Sequence, residues 1–174
     1  MLNEMQREYL GRLLMTMRVI IAALVSGVVM FFVVVLVLRG NQPAGQPMIA
    51  YVAAGVALMS FAASLFVPQV MVVPVRQSIA AGNAPSEASV PEGVGDVGRL
   101  GALYQTRVII AGALLEGAAF FNTIAYLLEG QMLTLLVTIA LILAILSQFP
   151  TAARVENWVV NQREIIEQMR SQDR

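Results

Sequence analysis

Cysteine, histidine and lysine are all missing from the 174 residues. Without cysteine or histidine there is no disulfide, no thiol nucleophile, no histidine base and no zinc site of the usual ligand types. Without lysine there is neither Schiff-base chemistry nor a phosphate-cradling P-loop lysine. Charge of either sign is scarce: 13% of the chain is charged, about half the usual share of a soluble domain. Eleven arginines balance eleven acidic residues to a formal net charge of zero, which suggests no nucleic-acid partner. These absences argue against an enzyme and imply no cofactor and no metal.

What fills the chain instead is apolar. Hydrophobic residues make up 58% of it and mean hydropathy is +0.75, more than one small water-facing domain can bury. Such a surplus fits a surface turned toward membrane lipid. Four stretches approach the ~20 apolar residues that a spanning helix needs. They are Val19–Leu38, Met48–Val67 (extendable through Pro68 to Val73), Val108–Leu128, and the shorter Met132–Phe149. Several are rich in β-branched residues, but a lone strand in lipid leaves its backbone unpaired, so helices are expected. The first stretch is too long for a signal-peptide core and lacks a small-residue cleavage site before Arg39, so it is read as a retained span. The expected fold is therefore all-α and polytopic, with four transmembrane helices.

Arginines give the expected orientation. Arg7, Arg12 and Arg18 precede the first span, Arg76, Arg99 and Arg107 separate the second from the third, and Arg154, Arg163, Arg170 and Arg174 follow the fourth. Arg39 alone falls on the other side, a tally of 10 to 1. The positive-inside rule then puts both termini and the central loop in the cytoplasm, as in a bacterial inner membrane.

The spans look duplicated. RVIIA at 18–22 recurs at 107–111, and at the same offset of 89 Phe31–Phe32 meets Phe120–Phe121, seven identities in all. Ser64-x-Phe66 and Ser147-x-Phe149 match at an offset of 83, each followed closely by a proline. Two hairpins in the same orientation, a parallel repeat, are expected. Between them, residues 77–98 hold two prolines, four glycines and little apolar periodicity, which reads as a flexible linker. Each end carries an amphipathic stripe: Leu2, Met5, Tyr9 and Leu13 before the first span, and Val155, Trp158, Val159, Ile166 and Met169 in the segment 151–174. Both are expected to lie at the membrane interface, or else to grip a partner subunit.

One residue breaks the apolar pattern. Glu116 lies nine positions beyond Arg107, roughly 13 Å into the hydrocarbon. An unpartnered carboxylate there is costly, so it is expected to be carried neutral or to take a partner from another helix. Gly112, Glu116, Ala119 and Thr123 share one helical stripe, with Ala113 and Gly117 beside it, a pattern of close helix packing. At offset 89 Glu116 corresponds to Gly27. A gap in one copy thus faces an acid in the other, and Ser26 and Asn122 are the candidate hydrogen-bond partners.

The stretch RVIIAGALLEGAAFFNTIAYLL, residues 107–128, resembles the carboxylate-bearing helix of rotary ATP synthase proteolipids, the c-type ring subunits. That resemblance implies that Glu116 binds a proton or sodium ion. Two readings follow from the sequence. In the first, the protein is a structural or assembly subunit, or a homo-oligomer, in which Glu116 is a hydrogen-bonding group between helices. In the second it handles a proton or cation at Glu116.

Overall fold

The computed structural model describes residues 3–40, 42–82 and 94–172. It is all-α: five helices, α1 (Glu4–Arg39), α2 (Met48–Ala80), α3 (Gly95–Glu129), α4 (Met132–Ser147) and α5 (Ala152–Gln172), with no strand among the described residues. The N-terminal stripe and the first span form one helix. Asn3 and Gln6 cap its start reciprocally, the Gln6 amide donating to Asn3 Oδ1 at 2.8 Å and the Asn3 amide to Gln6 Oε1 at 3.1 Å, an arrangement that satisfies two orphan donors. It ends at Gly40, whose φ of +52° favours glycine.

Helix α2 runs past Pro68 and Pro74 to Ala80, well beyond the expected extension to Val73. An interior proline deletes one backbone donor and crowds the preceding turn, but tertiary packing holds such helices together. Residues 77–80 and 95–98, expected in the linker, are therefore helical; residues 83–93 lie outside the described residues.

Three helices, α1, α2 and α3, are long and apolar enough to cross a membrane. Helix α4 has only 16 residues, about 24 Å at the α-helical rise. It meets the test jointly with α5, across a 68° bend around Pro150. Proline cannot donate to the helix ladder and biases its predecessor away from helix, which accounts for the break.

The chain divides into two compact units. Unit 1 holds Met1–Arg18, Pro68–Val108 and Pro150–Arg174; unit 2 holds Val19–Val67 and Ile109–Phe149. In unit 2, α1 and α3 run side by side in the same direction. Gly112 meets Ile21 and Leu24, Glu116 meets Gly27, Phe120 stacks on Phe31, and Leu127 meets Arg39. Helix α3 is the central element: half of its apolar window is buried, against 17% for α1 and 22% for α2. Ala53, Ala118, Ala119 and Ala125 let the helices close up around Val28, Leu115 and Ile145. The outer faces stay apolar and open, Met30, Val37, Leu58, Met59 and Phe66 among them. Such a continuous exposed apolar surface suits a lipid surrounding.

Unit 1 buries Leu10, Leu14, Met17, Ile79, Leu100, Val155, Val159 and Ile166. In the N-terminal part of α1, Leu10, Leu14 and Met17 are buried; of the expected stripe, Tyr9 and Leu13 are half-buried, Met5 is exposed and Leu2 lies outside the described residues. Gly101 draws α3 against that face, since a Cβ there would meet Leu13 Cδ1 at 2.8 Å and Leu10 Cδ2 at 2.9 Å. Along α5, Val155, Val159 and Ile166 of the C-terminal stripe are buried and Trp158 and Met169 are half-buried.

Candidate functional site

Glu116 projects from α3 at its seam with α1. A Cβ on Gly27 would lie 3.7 Å from Glu116 Oε1 and 4.0 Å from the Phe120 ring. Phe120 and Phe31, one turn further on, seal the seam with ring centroids 5.3 Å apart. The carboxyl is only half-buried and makes no hydrogen bond or ion pair with the described residues. It sits at the edge of a helix–helix contact, closed on one side by Gly27 and open on the other.

The other expected site residues divide. Gly112 is a true close approach: a Cβ there would lie 3.0 Å from Leu24 Cδ1 and 3.3 Å from Ile21 Cδ1. Gly117 is not, since nothing lies within 4 Å of its Cβ position; that residue faces outward on the exposed side of α3. Ser26 is also exposed and is not seen bonded to the carboxyl. Asn122 is fully buried but lies on another side of α3, six residues or about 240° round from Glu116. Its amide donates to Ala53 O on α2 at 3.0 Å and to Ala118 O at 2.9 Å, and Oδ1 has no partner. Asn122 is therefore an interhelical tie between α3 and α2, and does not share a site with Glu116.

Two further polar features take their roles only in the fold. Thr123 and Thr138 are both buried, with their hydroxyls 3.5 Å apart and each bonded to the carbonyl one turn back. Both hydroxyl hydrogens are spent on those carbonyls, so the contact between α3 and α4 here is one of packing. The larger feature lies at the ends of α1 and α3, where Arg39 and Glu129 are both buried. Glu129 Oε1 accepts from the Ile49 amide at 2.6 Å and Oε2 from the Ala50 amide at 2.8 Å. One carboxylate thus caps the first turn of α2, where orphan amides and the helix dipole favour an anion. Arg39 donates to Leu127 O at 2.7 Å and to Pro43 O at 3.0 Å, and its guanidinium stands 5.5 Å from the Tyr126 ring centre. Gly45 N reaches Glu129 O at 2.7 Å, and Gln131 Nε2 reaches Gly45 O at 2.6 Å. The result is a polar clasp that fixes the α1–α2 loop to the end of α3. Its one signal in the sequence is that Arg39 and Glu129 stand directly after the first and third apolar stretches.

The fold and site together define an all-α protein with helices long and apolar enough to cross a membrane, braced at one end by a buried charged clasp and carrying one carboxyl at a helix seam. No protein-family model matches the chain, and no curated protein or solved structure matches it either.

Proposed function

We propose that the chain is a small, non-enzymatic integral membrane protein that crosses the bilayer four times as two duplicated hairpins and serves as a structural or assembly subunit of a membrane complex. Its termini lie in the cytoplasm in this reading. The observation that carries it is the placement of Glu116: a carboxyl beside a glycine gap, half-open, and unbonded within the described chain. A polar head in such a position gains most from a donor on a neighbouring helix. The threonine hydroxyls and the Asn122 amide of the interior, by contrast, are spent on the chain's own carbonyls. The duplicated-hairpin reading draws support from the same-direction pairing of α1 with α3 and from the fall of Pro68 and Pro150 at matching unit boundaries. A second reading, proton or cation handling at the same carboxyl, draws on its partial exposure.

Glu116→Gln separates the two, because it keeps shape and a hydrogen-bonding head while abolishing titration. For an assembly subunit, the Gln variant keeps the parent's oligomeric state in native mass spectrometry from detergent. Glu116→Leu then weakens it, by ~1–2 kcal/mol. For an ion-handling protein, the Gln variant assembles but loses carbodiimide-sensitive proton or sodium flux in reconstituted vesicles. If Glu116→Leu assembles like the parent and no flux is seen in either protein, both readings fall.

A further inference from the structure

One side chain fastens the last turns of α5 to two other helices of unit 1. Arg170 Nη2 donates to Ile79 O, in the last turn of α2, at 2.9 Å and to Asp96 Oδ2, in the first turn of α3, at 3.2 Å. The final carbonyls of a helix favour a cation, and a first turn favours an acid that can pair with one.

Each partner keeps a second contact when Arg170 leaves. Ile79 O also accepts from the Gly82 amide at 3.2 Å, and Asp96 Oδ1 stands 3.7 Å from Arg99 Nη1. Release therefore strands no acceptor, and losing a hydrogen bond is expensive chiefly when it strands one. The Arg170 side chain is 43% exposed and that of Asp96 33%, so both regain water. Arg39, by contrast, is buried in its clasp.

Burial holds the earlier part of α5, at Val155, Val159, Gln162 and Ile166. Past Ile166, Met169 is half-buried, whereas Glu167, Gln168, Arg170 and Ser171 are exposed. Arg163 pairs with Glu167 at 3.0 Å, a contact within α5 that supports the helix without tying it to a neighbour. Arg170 also forms part of the wall of a cavity of about 190 Å³, with Gln6, Asp96, Arg163 and Glu167 among its lining residues.

We propose that the C-terminal turns of α5 are a salt-sensitive strap. Arg170 latches them to the end of α2 and the start of α3, and screening of its pair with Asp96 releases them from the cavity wall, with Ile166 as the pivot. At 1 M salt the screening length is about 3 Å, the length of the pair itself, against about 10 Å at 0.1 M. The rest of unit 1 stays folded, and the device is independent of the role given to Glu116.

The chain has no cysteine, so spin labels report only where they are placed. The full chain in detergent carries them at Gln77→Cys on α2 and Gln168→Cys on α5, both exposed, and double electron–electron resonance measures their distance distribution. Met15→Cys with Asn161→Cys, exposed positions on α1 and on the held part of α5, is the reference pair. The distribution at 0.1 M sodium chloride should be narrow and should broaden at 1 M, with the reference pair unchanged. The open fraction should rise about fivefold, equivalent to ~1 kcal/mol, the upper end for an exposed ion pair. Arg170→Gln should be broad already at 0.1 M, and Arg163→Gln should not. An unchanged distribution in Arg170→Gln overturns the proposal, because the turns are then held by something else. A parent that ignores salt overturns it as well, whether or not Arg170→Gln folds, since the contact is then a fixed fastening. Broadening of both label pairs together also overturns it, because unit 1 then loosens as a whole.

Discussion

Gly130→Ala is the sharpest test of the clasp at the end of α3. Gly130 has φ +65°, and a Cβ there would fall on the Arg39 guanidinium. Two effects add. An alanine in the left-handed region is strained by about 1 kcal/mol. Displacing Arg39 also breaks its bonds to Leu127 O and Pro43 O, each worth about 1.5 kcal/mol at the low end for a charged donor. The low end applies because a displaced guanidinium regains hydrogen bonds from its surroundings. The expected loss is about 4 kcal/mol. Gly40→Ala is the matched control: its φ is +52°, but nothing lies within 4 Å of its Cβ position, so strain alone, about 1 kcal/mol, is expected. Reversible unfolding in mixed detergent, followed by circular dichroism, measures both. In an Arg39→Ala background the Gly130→Ala loss should fall to the strain value, a coupling that a double-mutant cycle isolates. Equal losses for Gly130→Ala and Gly40→Ala in the parent would refute the clasp.

Glu129→Gln removes the charge from the α2 cap while keeping one acceptor, and should cost about 1–2 kcal/mol, with faster hydrogen exchange at the Ile49 and Ala50 amides; unchanged exchange there would count against the cap. Gly27→Ala should be tolerated, since its Cβ would make ordinary contacts at 3.7 and 4.0 Å, whereas Gly27→Leu should destabilise the protein in detergent more than Val34→Leu on the same helix. Equal behaviour of the two leucine variants would mean that the α1–α3 seam is loose. Single cysteines at Gln42 and Gln77 should label from opposite sides of the membrane in intact cells, and labelling from one side would overturn the arginine-based orientation.

The outline of the helices was legible because hydrophobic length and breaker residues are local signals. The first and third apolar runs, read to Leu38 and Leu128, stop one residue short of the ends of α1 and α3. Of the glycines at helical spacing, Gly112 is closely approached, Gly27 makes only ordinary contacts and Gly117 none. What stayed hidden depends on the third dimension. Nothing along the chain says that Glu129 reaches across to amides eighty residues earlier, or that Arg39 covers Gly130. The linker's ends read as loop because Gly95 and Gly98 dilute the apolar pattern; in the fold Val94, Val97 and Leu100 are buried, and that burial outweighs a glycine's helix penalty of about 1 kcal/mol. On α1 the expected stripe and the covered face overlap: Gly101 meets Tyr9 and Leu13 of that stripe and Leu10 beside it.

The central position of α3 bears on how the protein is made. Its apolar window has a mean hydropathy of 1.7, against 3.1 for α1 and 2.0 for α2, and it carries Glu116, Asn122 and Thr123. A translocon that judges each helix by its own partition free energy admits α1 readily and admits α3 with most difficulty. The helix that organises the finished bundle is thus the one least able to enter the bilayer alone. By the time α3 leaves the ribosome, α1 and α2 have already been synthesised. In the four-span reading, Gly27 and the Ala53 carbonyl are then in place to meet Glu116 and Asn122, and α1 and α2 would scaffold the entry of α3. Order of synthesis and order of dependence run the same way along this chain.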